Sequence, residues 1–257
     1  MMFSQQPDAQ READAGQSGL GETVRTFIYA VIIAFGVRTF LYEPFNIPSG
    51  SMIPTLLIGD YLFVSKFSYG YSKYTVGFGL PLFDGRVLGH DPQRGDVIVF
   101  KLPRDNKTDY IKRLIGLPGD RIQMIGGVLH INGEPVGMQR IEDVVAVNHM
   151  GQRVRIAQFL ETLPGGKVHK IYKETMSGGL DNTPIYVVPP HHYFMMGDNR
   201  DNSLDSRVPS AVGFVPEENL VGRAEFIFFS LEDGTHLWEL WRWPFDLRGS
   251  RLLQGVN

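Results

Sequence analysis

Hydropathy changes character twice along the chain. The first 22 residues are mostly polar, and residues 27–37 (FIYAVIIAFGV) then run without a charge between Arg25 and Arg38. Beyond Pro44 the apolar positions take a period of two with turn residues between the runs, which is the pattern of strands. Strands are predicted at 61–66, 96–101, 109–115, 121–125, 128–131, 144–147, 185–188, 192–196 and 223–229. Pro118-Gly119, Gly126-Gly127 and Asn132-Gly133 punctuate them, and the latter two are strong hairpin signals. The prediction is a mostly β chain built on an antiparallel sheet or barrel, without internal repeats. The stretch 122–190 has a more variable texture, with turns at Pro164-Gly165-Gly166 and Ser177-Gly178-Gly179. It is expected to be a β subdomain inserted into a core made of 43–121 and 191–257.

The apolar segment has three readings. Eleven residues alone suit a buried or amphipathic helix. A cleaved signal peptide would fit the short apolar core and the small-x-small run Ala34-Phe35-Gly36, but the region before it is acidic instead of basic. The wider stretch 23–42, as a helix, reaches roughly 30 Å, one hydrocarbon thickness. A span of that length needs Arg38 to snorkel, with Phe40, Leu41 and Tyr42 completing the apolar run. Charge gives no orientation, because the tail before the segment is not positive.

Composition narrows the chemistry. The 257 residues include no cysteine, so thiolate nucleophiles, disulfides and thiolate metal sites are excluded. The formal charge of −3 lies wholly in residues 1–22, where Arg11 stands against Asp8, Glu12, Asp14 and Glu22. That tail is expected to be disordered. The neutral remainder offers no clustered base for nucleic acid, so none is expected as a partner. No P-loop, dinucleotide fingerprint, H-E-x-x-H, G-x-S-x-G or S-x-x-K motif occurs, and no cofactor is expected. The paired His191-His192 lacks a carboxylate at ligand spacing and reads as a strand entrance.

Three segments carry candidate chemistry. Pro48-Ser49-Gly50-Ser51-Met52-Ile53-Pro54-Thr55-Leu56 sets two hydroxyls around a glycine between stiffening prolines. Such a turn can expose a nucleophile beside backbone N–H donors, or it is an ordinary surface loop. In a strand at 109–115, Tyr110, Lys112 and Leu114 share one face, away from Asp109. Desolvation lowers a lysine pKa, and a lysine brought from about 10.4 to about 8 can act as a base near neutral pH, at a cost of roughly 3 kcal/mol. A snorkelling edge lysine is the alternative. Gly197-Asp198-Asn199-Arg200-Asp201-Asn202-Ser203-Leu204-Asp205-Ser206-Arg207 is a loop that its own Asp/Arg pairs can stiffen. It is not a calcium loop, because Arg200 occupies a ligand position and no Glu closes it.

Together these segments resemble bacterial type I signal peptidase, the membrane-anchored protease of the Ser/Lys type. The resemblance rests on P-S-G-S-M-x-P-T-L at 48–56, R-G-D-V-I-V-F at 94–100, Y-I-K-R-x-x-G-L-P-G-D at 110–120 and G-D-N-R-D-N-S-x-D-S-R at 197–207, in the family's order, with K-F-S-Y-G at 66–70. These runs cover about a sixth of the chain. The resemblance implies Ser51 as nucleophile and Lys112 as general base, with Ser49 and the Ser51 N–H as oxyanion hole. It implies that Ser203 orients the lysine, that Tyr110 neighbours it, and that Asn202, Arg200, Asp205 and Arg207 support the site. Met52 is expected in a substrate pocket wall.

The implied fold is that of signal peptidases and self-cleaving repressor proteases, after one transmembrane helix at 23–42. The implied partners are secretory preproteins, cut after small residues of Ala-x-Ala type, and membrane lipid. The implied place is the bacterial inner membrane, with the tail cytoplasmic and residues 43–257 periplasmic. A self-cleaving repressor would instead carry an N-terminal helix-turn-helix. A non-catalytic tethered scaffold would not need Ser49, Ser51, Lys112 and Ser203 together. All three tryptophans, Trp238, Trp241 and Trp243, cluster with Leu237, Leu240 and Phe245. They are expected either as an interfacial belt or as core packing.

Overall fold

The computed structural model describes residues 8–75, 85–147, 153–236 and 238–256; residues 1–7 of the tail and Leu237 of the aromatic cluster lie outside them. Helix α1 (Asp8–Phe40) opens the chain. Residues 8–22, expected to be disordered, are therefore helical. Ala9, Gln10, Arg11, Glu12 and Ala13 are good helix formers. Its segment Gly21–Phe40 is long and apolar enough to cross a bilayer, and none of it is buried against the protein. The helix stops before Leu41 and Tyr42, which were expected to complete it. Tyr42 instead opens strand β1 (Tyr42–Asn46), and its ring packs edge-on against Phe63 and Phe67.

The helix end is fastened to the body. Leu41 alone separates α1 from β1. Tyr71 Oη donates to the Phe40 carbonyl at 2.7 Å, and the Lys66 N–H donates to the Leu41 carbonyl at 2.9 Å. Both satisfy carbonyls that the last helical turn leaves open.

Strand β1 pairs with β2 (Asp60–Ser65), while β3 (Tyr71–Ser72) and β4 (Arg86–Val87) form a separate ribbon. Strands β5 (Val97–Lys101) and β6 (Asp109–Gly116) follow as an antiparallel pair. The chain then leaves the main sheet for β7 (Arg121–Ile125), β8 (Val128–Ile131), β9 (Glu134–Pro135), β10 (Gly137–Arg140), β11 (Val144–Val147), β12 (Arg153–Thr162), β13 (Val168–Lys173) and β14 (Tyr186–Val187). It returns with β15 (His192–Met196), β16 (Val215–Pro216) and β17 (Leu220–Ser230). The main sheet has seven antiparallel strands in the order β1-β2-β17-β5-β6-β15-β16. Register shifts along β17 against both neighbours curl it. The fold is thus mostly β, a curled antiparallel sheet behind one apolar helix.

Burial explains the strand sequences. Val97 and Val99 enter one core cluster with Met52, Leu62 and Val221, while Ile98 and Phe100 enter another with Leu114 and Met195. Because both faces of β5 are covered, its sequence runs apolar without alternation. The hairpin between β7 and β8 turns on Gly126 and Gly127, both at positive φ (54° and 78°), as a two-residue primed turn requires. Strands β12 and β13 escape the sequence reading because their inward positions include Glu161, His169 and Lys173, all buried. Alternation of that kind does not look hydrophobic.

The aromatic cluster is divided. Trp243 lies half-buried with its ring 4.7 Å from that of Phe229. Trp238 and Trp241 are 70% and 69% exposed, so core packing does not account for them.

Candidate active site

Ser51 stands on a single 3-10 turn, Gly50–Met52, entered and left through extended residues. Consecutive side chains of so tight a turn diverge. Ser51 opens onto a cleft of about 410 Å³, lined also by Pro48, Ser49, Tyr110, Ile111, Lys112, Asn202 and Leu204. Met52 is fully buried in the core and does not line the cleft, contrary to the expectation of a pocket wall. It is the apolar foot on which the turn rests.

Strand β6 delivers the lysine from the other side. Lys112 is only 3% exposed, and its Nζ lies 2.7 Å from Ser51 Oγ and 2.9 Å from the Ile111 carbonyl, to which it donates. Burial lowers the amine to about 8, against the opposing pull of the Asp205 and Asp198 carboxylates. The Tyr110 ring lies 5.3 Å from Nζ, positioned to favour the charged form. Ser49 Oγ stands 3.4 Å from Ser51 Oγ. The alternative of a snorkelling lysine is excluded by its burial.

The loop 197–207 fixes the serine turn. Asn199 donates its N–H to the Ser51 carbonyl at 3.1 Å and its side-chain amide to the Gly50 carbonyl at 3.0 Å. Ser203 and the Ser51 carbonyl press against Gly197, where a Cβ would lie 2.5 Å from that carbonyl. Only glycine fits. The Ser203 hydroxyl is buried and makes no hydrogen bond to Lys112, whose partners are Ser51 and Ile111. It lies at the site without making the contact expected of it.

Buried charges hold the loop. Arg207 donates to Asp205 through Nε at 2.9 Å and Nη2 at 2.8 Å, and to the Arg200 carbonyl at 2.6 Å. Burial alone would raise the Asp205 pKa, but Arg207 overrides it and holds the carboxyl below its ordinary value. Asp205 also accepts the Gly197 N–H at 3.0 Å. Arg200 donates to Glu161 at 2.7 and 2.5 Å, and Asn202 donates to Glu174 at 2.6 Å. Arg200, Asp205 and Arg207 are thus buried beneath the cleft, whereas Asn202 is exposed at its rim.

Several contributors were not anticipated. Arg113 makes a two-pronged contact with Asp198, Nε to Oδ1 at 2.9 Å and Nη2 to Oδ2 at 2.7 Å, and Thr55 Oγ1 donates to the same carboxylate at 2.5 Å. Both charged residues lie within the quoted sequence boxes, but their partnership spans 85 positions and leaves no local signal. Glu161 and His169 lie outside every box. An ionisable side chain on the inward face of a strand is the trace they leave.

Residues 20–229 match the family described as signal peptidase, peptidase S26. Signal peptidase I of Rickettsia typhi is 45% identical over 213 residues, covering 80% of this chain and 78% of that protein. Signal peptidase I of Rickettsia conorii is 42% identical over 231 residues, covering 85% of each. A crystal structure of a signal peptidase I from Enterococcus faecalis is 30% identical, covering 52% of this chain and 97% of that one, with a TM-score of 0.31. The matched stretch holds the serine turn, the lysine strand and the loop that joins them, and the chain belongs to the signal peptidase family, peptidase S26.

Proposed function

We propose that this chain is a membrane-anchored serine endopeptidase that removes N-terminal signal peptides from exported preproteins, with Ser51 as nucleophile and Lys112 as general base. The observation that carries this reading is the 2.7 Å approach of Lys112 Nζ to Ser51 Oγ, with burial holding the amine at about 8. A neutral amine at that distance takes the hydroxyl proton as Oγ attacks the substrate carbonyl carbon. The oxyanion that forms is met by the Ser51 N–H and the Ser49 hydroxyl. Collapse breaks the C–N bond, and the Lys112 ammonium gives its proton to the departing amine. An acyl-enzyme on Ser51 remains. Lys112, neutral again, deprotonates a water that attacks the ester and frees the enzyme. The buried Asp205 and Arg207 hold the loop and take no part in proton transfer.

The cleft beside Tyr110, Ile111 and Lys112 suits an extended peptide with small side chains, in keeping with cleavage after Ala-x-Ala. Helix Gly21–Phe40 anchors the chain in the inner membrane, with the tail cytoplasmic and the sheet periplasmic. The test is incubation of detergent-solubilised protein with a preprotein bearing Ala-x-Ala, beside Ser51→Ala and Lys112→Ala. Both substitutions are expected to abolish cleavage, and undiminished turnover by either overturns the dyad.

A further inference from the structure

Strands β12 and β13 carry buried ionisable groups that the proposed chemistry does not use. Glu161, His169 and Lys173 are 1%, 4% and 1% exposed, and each is directed at the segment 198–201. Glu161 grips both terminal nitrogens of Arg200, whose Nε in turn donates to the Gly197 carbonyl at 3.2 Å. His169 Nε2 lies 3.3 Å from Glu161 Oε2 and 3.8 Å from Asp198 Oδ1. Lys173 Nζ reaches Asp201 Oδ1 at 3.1 Å, and the Tyr172 N–H donates to the Asp198 carbonyl at 2.9 Å. The loop that fixes the Ser51 carbonyl is therefore fastened from behind by strands that contain none of the family's sequence boxes.

A buried ion pair is a weak source of stability, because apolar residues of equal volume serve as well. What it supplies is direction. The fork of Arg200 can satisfy Glu161 and the Gly197 carbonyl together in one orientation, and Gly197 is the residue against which Ser51 and Ser203 are pressed. The electrostatics run along the same path. Asp198 and Asp205 from the loop are the carboxylates that favour charge on Lys112, and Arg200 lies within the field of both. Glu161 neutralises Arg200 and so leaves those carboxylates to act on the lysine.

We propose that Glu161 is a positioning residue for the Ser51–Lys112 pair, acting through Arg200 to set both the seat of the serine turn and the charge felt by the lysine. The proposal rests on the dyad reading above. Its test is steady-state cleavage of an Ala-x-Ala peptide by the full-length detergent-solubilised protein between pH 6 and 10, with thermal midpoints, for wild type, Glu161→Gln, Glu161→Asp, Lys112→Ala and the double variant Glu161→Met/Arg200→Met. Glu161→Gln is expected to lower kcat by about ten-fold or more while KM changes by less than about two-fold. Its acid limb should move to lower pH, because an unneutralised Arg200 opposes Asp198 and Asp205. Glu161→Asp, which keeps the charge, should return the limb toward that of wild type.

The double variant removes both charges at similar volume, and should lose kcat without loss of folding. Wild-type kcat in Glu161→Gln or in the double variant overturns the proposal. So does a fall in kcat that accompanies a lowered thermal midpoint with an unmoved limb, which marks a merely structural role. Cleavage by Lys112→Ala overturns the dyad reading itself, a result separate from these.

Discussion

Lys112 and Arg113 are consecutive on β6 and serve opposite sides of one site: the amine lies 2.7 Å from Ser51 Oγ, while the guanidinium grips Asp198 at 2.9 and 2.7 Å. Asp198 is followed by Asn199, which holds the Ser51 carbonyl. One pleat of one strand therefore sets both the proposed base and, through the loop, the proposed nucleophile. Because that relationship is rigid, changes in charge or shape at the site have definite expected signs.

The rate should follow the neutral fraction of Lys112. With the amine at about 8, roughly a tenth is neutral at pH 7. The kcat/KM for an Ala-x-Ala peptide is expected to rise about ten-fold per pH unit below pH 7 and to level above about pH 9. A profile flat from pH 6 to 10 would remove Lys112 from the role of base.

Replacing Lys112 should exchange activity for stability. Folding lowers the lysine from 10.5 to about 8, so below pH 8 both states are protonated and the folded one bears the whole desolvation cost. Between those values the unfolded chain binds more protons, and wild type gains stability as pH rises. Lys112→Met is expected to be inactive and more stable by up to about 3 kcal/mol at pH 7, a gain that vanishes near pH 10.5. Urea unfolding at pH 7 and pH 10 measures it.

Breaking the Arg113–Asp198 pair from one side should be severe. Arg113→Met leaves a buried carboxylate without its main partner, with an expected loss of about 3–5 kcal/mol. Arg113→Met combined with Asp198→Leu should recover most of that stability without recovering activity, since Asp198 orders the segment that meets Ser51. A double-mutant cycle on unfolding free energy decides the point.

Gly197→Ala probes the closest approach in the site. Its Cβ would lie 2.5 Å from the Ser51 carbonyl, and the neighbouring backbone cannot yield as a flexible side chain can. We expect kcat to fall by about a hundred-fold with little change in KM. Single-turnover acylation rates separate this from a binding defect.

The exposed tryptophans offer a separate measurement. Trp238→Ser/Trp241→Ser should leave the thermal midpoint within about 1 °C of wild type, since both rings are mostly exposed. Sedimentation with anionic vesicles of the protein lacking residues 1–41 should fall if these rings meet the headgroup layer.

The sequence was legible where one face of a strand is apolar and a glycine pair closes a hairpin, as at β7 and β8. It was also legible where residues that line the candidate site stand close together in the chain, as Ser49 and Ser51 do. It was silent where burial is of charge. Nothing local marks Glu161 as the partner of Arg200, because the cost of burying each is met only when distant strands assemble. Met52 misled for a related reason. Next to a candidate nucleophile it reads as a neighbour of the substrate, and only the sharpness of the turn sends it to the core. At the helical boundary after Phe40, Tyr42 pairs with Ser65 and packs on Phe63, contacts with distant residues that the local sequence does not show.

The single residue between α1 and β1, with the Phe40 and Leu41 carbonyls both bonded to the body, would make the proposed anchor a ruler as well as a tether. A flexible leash would let Ser51 sample many heights above a bilayer. A joint held at both carbonyls would narrow that range. On the proposed function, a preprotein whose own apolar helix lies in the same membrane would offer those peptide bonds that emerge at that height, so cut-site selection would acquire a geometric component alongside the proposed preference for small side chains.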